Sequence, residues 1–467
     1  MVFSTPVFFF GFLVVTLLIY YVVPRKGRNA VLLIASLAFY FWGERSYALI
    51  MLLSTLIDFT HGLLVERCKA RGNLRGARWA VVSSVIFNLA ILFFFKYWDF
   101  IAQNLRDVGL AFMPVLGIHL PIGVSFYTFQ TMSYTIDVYR GDARAQKNIV
   151  NFGTFVTLFP QLIAGPIIKY KDLGDQIDSR DTTADRFASG VAAFSVGLAK
   201  KVLIANNVGM LWDHCKAMAP GRLTVMGAWL GVIAFTFQIY FDFSGYSDMA
   251  TGLGRMLGFE FLPNFNYPYT ARSITDFWRR WHISLSTWFR EYLYIPLGGN
   301  RCSKARQFFN LFVVWAATGI WHGASWNYLF WGLFFWVLLM VEKGGFGKIL
   351  EKAPAWIGHV YTLFFVVLSW AIFAIEDLPA LGSYLGTMFG FGGAALLDAG
   401  VGYELFSYLP VLLIAGLCST PLPSRCFGKL PEKGRKVTGA VLLALCLVLC
   451  TAYMVAGTYN PFLYFRF

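Results

Sequence analysis

About twelve stretches of this chain are apolar over nearly the length a helix needs to cross a hydrocarbon layer roughly 30 Å thick, which removes ordinary soluble folds from consideration. They fall at residues 3–23, 29–44, 46–66, 79–98, 119–138, 187–210, 222–243, 308–324, 327–342, 357–376, 402–421 and 437–457. Composition agrees: 57% of the residues are hydrophobic, 14% are charged, and the mean hydropathy is +0.59. The expected fold is an all-α polytopic membrane protein.

The net charge of +14 does not point to nucleic acid, because the basic residues gather in short loops beside apolar runs, where they set orientation. Arg25, Lys26 and Arg28 follow the first run; Arg67, Lys69, Arg71, Arg75 and Arg78 follow the third; Arg140, Arg144 and Lys147 follow the fifth. These loops are expected inside, which puts the N-terminus outside. The first run lacks a basic leader and ends in Pro24-Arg-Lys-Gly-Arg, so it reads as a retained span rather than a cleaved signal. The alternation survives only if residues 149–168 enter and leave on one side. Pro160, Gln161, Gly165 and Pro166 fit such a re-entrant segment. The C-terminus is then expected outside too. Seven cysteines without a C-x-x-C pair imply neither a disulfide framework nor a metal site.

Residues 272–326 carry most of the chemistry-bearing side chains. Ser273 with Asp276 reads as a helix start, and Ile274, Phe277, Trp278, Trp281, Leu285, Trp288, Phe289 and Tyr292 recur at helical spacing. The opposite face holds Arg279, Arg280, His282, Ser286 and Arg290, which suits an amphipathic helix running to Pro296 in the headgroup region. His322 sits at a break between two apolar runs, among Gly319, Trp321, Gly323, Ser325 and Asn327. Irregular backbone at membrane depth needs surrounding protein or a cavity, so a tunnel past His322 is expected, with Trp321, Ser325, Asn327, Arg279 and Ser286 as candidate lining or donor-binding residues.

Asp242 and Asp248 interrupt the aromatic run at residues 236–249. They are expected to be structural partners for Arg279 or Arg280. The tail at 458–467 ends Asn460-Pro-Phe-Leu-Tyr-Phe-Arg-Phe467, too short to span and suited to the outer interface.

At Pro121-Ile-Gly-Val-Ser-Phe-Tyr-Thr-Phe-Gln130, Phe159-Pro-Gln-Leu-Ile-Ala-Gly-Pro166, Tyr240-Phe-Asp-Phe-Ser-Gly-Tyr-Ser-Asp-Met249, Phe277-Trp-Arg-Arg-Trp-His-Ile-Ser-Leu-Ser286 and Gly319-Ile-Trp-His-Gly-Ala-Ser-Trp326 the chain resembles the membrane-bound O-acyltransferase family. The likeness is to its bacterial branch of alginate and peptidoglycan O-acetylation proteins, and it spans most of residues 1–467. It implies a bowl of helices around a central tunnel in the bacterial cytoplasmic membrane. It also implies His322 as the catalytic histidine with His282 as the second of the pair, no bound cofactor, and acetyl-CoA as acyl donor. The expected partners are membrane lipid, an extracytoplasmic acyltransferase of the SGNH type, and a polysaccharide acceptor downstream. A related branch, DltB-like teichoic acid D-alanylation, takes its acyl group from a carrier protein and is the alternative donor. The tail is similar to the acyl-accepting C-terminal motif of a small partner protein in that system, which would make Tyr464 an acyl relay.

A thioester is already activated, so such an enzyme chiefly positions an acceptor hydroxyl and removes its proton, a task suited to neutral imidazole. His282 would orient or polarise the thioester carbonyl. Two readings of other classes compete: a transporter or channel lined by Asp242, Asp248 and the histidines, and a scaffold using the tail to dock extracellular enzymes. Transfer from an acyl thioester separates the first reading from both.

Overall fold

A computed structural model describes residues 2–110, 112–218, 221–457 and 459–463; Tyr464 lies outside the described residues. The described residues are helical nearly throughout, with no strand among them. Each of the twelve expected spans coincides with a helix, and eight of these helices are long and apolar enough to cross a membrane. The other four are shorter or more polar: Val7–Val22, Arg28–Gly43, Val124–Arg140 and Lys304–His322. The 16-residue helix Arg28–Gly43 reaches about 24 Å at 1.5 Å per residue, short of a typical hydrocarbon core.

Two compact units emerge. One comprises Met1–Phe194 and Ser247–Leu262. Inside it, Asp58 is wholly buried yet satisfied: Ser84 Oγ donates to its Oδ1 at 2.6 Å and Asn88 Nδ2 to its Oδ2 at 2.8 Å. This polar seam joins the helices Ala48–Ala70 and Leu74–Asp107, where an unsatisfied acid would be costly. The segment expected to be re-entrant breaks as its prolines and glycine suggest. Helix Ile149–Thr157 stops, Leu158 turns the chain, and a short helix Phe159–Leu162 follows, all of it buried from Phe152 to Tyr170. Ser36 Oγ accepts the Phe159 N–H at 3.0 Å and Gln161 Nε2 donates to Phe155 O at 2.7 Å, so backbone freed by the break is bonded by protein.

The other unit comprises Ser195–Tyr246 and Pro263–Leu463 and contains both candidate histidines. Its centre is aromatic. Trp281, Trp331 and Trp370 are almost fully buried, with ring centroids 4.9 Å apart for Trp281–Trp370 and 6.1 Å for Trp331–Trp370. Helices Lys304–His322 and Trp326–Lys352 form a tight hairpin beside this cluster, closed by glycines. A Cβ at Gly319 would stand 2.4 Å from Tyr328 O, and one at Gly332 would stand 2.4 Å from Trp315 O. Small residues at these facing positions let the two backbones touch, as packing between helices in lipid requires.

Candidate functional site

The helix expected to run unbroken from Ser273 to Pro296 is instead two short helices, Ile274–Arg280 and Ile283–Phe289, followed by a wider turn at Arg290–Tyr294. The break lies at His282, which adopts a left-handed backbone with φ 44° and ψ 55°. A non-glycine residue held there stores strain of about 1–3 kcal/mol, which must be offset by neighbours. Asn264 supplies the offset. Its carbonyl accepts the Ile283 N–H at 3.0 Å, and its side-chain Oδ1 accepts from the Ser284 N–H at 3.1 Å and Ser284 Oγ at 2.9 Å. Hydrophobic spacing could not show this break, because apolar residues recur at helical intervals on both sides of it.

The same oxygen fixes His282. Since the Ser284 N–H can only donate, it identifies the facing Asn264 atom as oxygen, and His282 Nδ1, 3.2 Å from that oxygen, must carry a proton. Nε2 is therefore the bare nitrogen, buried and without a hydrogen-bond partner. Asn264 Nδ2 is a second buried group without a partner. Burial holds the His282 imidazole down to about 3, so the ring is neutral at physiological pH. One unspent acceptor and one unspent donor thus belong to two side chains joined by a hydrogen bond. Unmatched buried groups of this kind can hold a water, an ion or a substrate atom.

His322 ends the helix Lys304–His322 and is 3% exposed. Its ring lies 5.1 Å from Trp321, 5.0 Å from Trp331 and 5.4 Å from Phe373, edge-on to each. Trp321 neighbours both histidines, its ring 6.2 Å from that of His282 and 5.1 Å from that of His322. The expected lining residues divide. Ser286 and Ser325 are half-buried. Asn327 is wholly buried, and its amide donates to Ile372 O at 3.2 Å and Phe373 O at 3.1 Å. It thereby satisfies carbonyls in the last turn of Ala355–Ala374, a structural use.

Arg279 is exposed and lines a cleft of about 520 Å³ together with Arg272, Lys343, Lys348, Glu342 and Glu351. Glu342 is buried and already committed. It accepts the Ile274 and Thr275 N–H groups at 2.6 and 2.9 Å and the Thr275 hydroxyl at 2.6 Å, capping the helix that leads to His282. The expected pairing of Asp242 with Arg279 or Arg280 does not occur. Arg280 bonds Asp276 at 2.9 Å, one turn away on its own helix, while Asp242 lies 2.7 Å from Lys201, a residue that sequence reasoning passed over. Asp248 is half-buried farther along the helix Val225–Met256. Among the described residues no cluster of three or more metal-ligating side chains occurs.

The profile of the membrane-bound O-acyltransferase family matches residues 142–378 of this chain. A protein of Pseudomonas aeruginosa called a probable alginate O-acetylase, AlgI, is 44% identical over 429 residues, 89% of this chain and 82% of its own length. Its namesake in Pseudomonas putida is 41% identical over the whole of both chains. A peptidoglycan O-acetyltransferase of Helicobacter pylori is 33% identical over 85% of this chain and 81% of its own. A buried, neutral histidine with an unspent nitrogen, a second histidine caged in aromatic rings, and helices of bilayer length are the setting in which these likenesses fall. The chain belongs to the membrane-bound O-acyltransferase family and is a multi-pass membrane O-acyltransferase.

Proposed function

We propose that this protein carries acetyl groups from a cytoplasmic thioester, acetyl-CoA, across the bacterial inner membrane for the O-acetylation of an exported polysaccharide of the alginate type. An extracytoplasmic acyltransferase of the SGNH type would complete the transfer. The observation that carries the reading is the His282–Asn264 pair, which leaves one acceptor and one donor unspent in a buried, neutral setting. The relatives named for alginate and peptidoglycan acetylation supply the substrate class.

In this mechanism the acceptor oxygen attacks the thioester carbonyl while His322 takes its proton. The C–S bond breaks as the new ester C–O bond forms, and the departing thiolate recovers the proton from His322. A group that polarises the carbonyl must donate a hydrogen bond, which His282 Nε2 in its fixed tautomer cannot do. The polarising role therefore falls to Asn264 Nδ2, and His282 keeps the orienting role by holding the Asn264 side chain through its Nδ1–H. The donor's phosphates suit the cleft at Arg272, Arg279, Lys343 and Lys348, which the distribution of basic loops assigns to the cytoplasmic side. Charge reversal by Arg279→Glu is expected to raise the KM for acetyl-CoA about tenfold with kcat changed by less than twofold, as loss of uniform binding predicts. A normal KM in steady-state assays would remove the cleft from the reading.

Tyr464 is the proposed first acceptor, a phenol that holds the acetyl group as an ester until the partner removes it. Purified protein given radiolabelled acetyl-CoA is expected to retain label through denaturing electrophoresis, and Tyr464→Phe is expected to abolish that label. Full covalent labelling of Tyr464→Phe would rule out the relay while leaving the roles of the histidines standing.

A further inference from the structure

The helices Ala184–Lys216 and Val225–Met256 are both long and apolar enough to cross the membrane, yet each brings a charge to one buried point. Lys201 and Asp242 meet there at 2.7 Å, their side chains 3% and 1% exposed. They can meet because Gly245 lets the backbones approach: a Cβ there would lie 2.7 Å from Gly197 O and 3.2 Å from Lys200 Cβ. A buried ion pair repays the loss of water only when further hydrogen bonds satisfy its remaining protons and lone pairs. Here those bonds come from the C-terminal tail. Lys201 Nζ donates to Pro461 O, and Asp242 Oδ2 accepts the Leu463 N–H at 2.9 Å.

The grip extends along the segment. Asn206 Nδ2 donates to Tyr459 O at 3.3 Å and to Asn460 Oδ1 at 3.4 Å, while the Tyr459 phenol donates to Asp213 Oδ2 at 2.6 Å in space left open by Gly209. Phe462 is buried, its ring 4.9 Å from that of Tyr246 and 6.0 Å from Lys201 Nζ. Three of these contacts are to backbone, on both sides of the chain. They fix the path of the tail more than they read its sequence.

We propose that Lys201 and Asp242 form a clamp that holds the C-terminal tail by its backbone, and that they are positioning residues for the transfer. The clamp and the tail depend on each other: without residues 461–463 the pair loses the bonds that make its burial tolerable, and without the pair the tail loses its central anchor. The consequence for catalysis rests on the proposed acceptor role of Tyr464, which follows Leu463 directly. The clamp itself does not rest on it.

The test replaces both charges at once. Single substitutions leave an uncompensated buried charge and threaten folding, whereas the apolar pair Lys201→Met with Asp242→Leu removes both. A second variant, Leu463→Pro, deletes the N–H given to Asp242 from a residue outside every transmembrane helix. The full-length proteins in detergent are digested with a carboxypeptidase and followed by mass. In the parent, trimming is expected to stall at the clamped residues. In either folded variant, residues 459–463 are expected to be removed at least tenfold faster, with kcat for acetyl transfer falling and the KM for acetyl-CoA unchanged. Equal trimming rates in the parent and a folded variant overturn the clamp. Faster trimming together with full transfer by Tyr464→Phe leaves the clamp in place and removes the relay.

Discussion

His322→Ala is expected to lower acyl transfer by about 10²- to 10⁴-fold, the range lost when a general base is removed. The size of the effect follows from the position. The imidazole is 3% exposed and faces Trp321, Trp331 and Phe373, so bulk water cannot readily stand in as the proton acceptor. A low-dielectric cage also strengthens whatever charge interaction develops on the ring. Alanine leaves space among packed rings and costs stability as well, which would blur the reading. His322→Gln fills more of that space and still cannot accept a proton to the same degree, so both variants should fall together in activity while glutamine unfolds closer to the parent temperature. The measurement is transfer from labelled acetyl-CoA alongside thermal unfolding. Parent-level transfer by a folded His322→Gln would sink the proton-acceptor role.

How far the sequence could lead is visible in particular residues. The spans were legible because lipid imposes a length and a polarity that a sequence displays directly, and each expected run coincides with a helix. The broken segment around Pro160 was legible for the same reason in reverse, since proline, glutamine and glycine cannot continue an unsupported helix in hydrocarbon. The break at His282 was not, because the hydrophobic period continues across it and the interaction that stabilises it comes from Asn264, eighteen residues away. Pairing was the least legible property. Asp242 has several basic residues within plausible reach, and only the close approach at Gly245 selects Lys201. A signal was nonetheless present: Lys201 stands inside an apolar run, and the argument that made Asp242 notable applies to it equally. Asn327 has a use that the sequence does not display, since its amide nitrogen, beside a candidate catalytic residue, is spent on two backbone carbonyls of a later helix.

The second large effect is expected at a residue with no chemistry. Gly319 lies one turn before His322 and faces Gly332 across the hairpin: a Cβ at Gly332 would come within 3.2 Å of Gly319 Cα, and a Cβ at Gly319 would stand 2.4 Å from Tyr328 O. That obstacle is backbone, so a side chain there cannot be accommodated by a rotamer change and the helices must part. Overpacking of this kind costs about 1–3 kcal/mol. The functional cost should be of similar size, because parting the hairpin moves His322, and a displacement near 1 Å at a reacting group can cost about 10²-fold in rate, about 2.7 kcal/mol. Gly319→Ala, a single methyl group, is therefore expected to reduce kcat by about 10²-fold with modest loss of thermal stability, and Gly319→Val to prevent recovery of folded protein. Ile320→Val, at the neighbouring exposed position, should be close to silent. If Gly319→Ala folds and transfers acetyl groups at the parent rate, the close approach of the two helices is not what holds His322 in its working position.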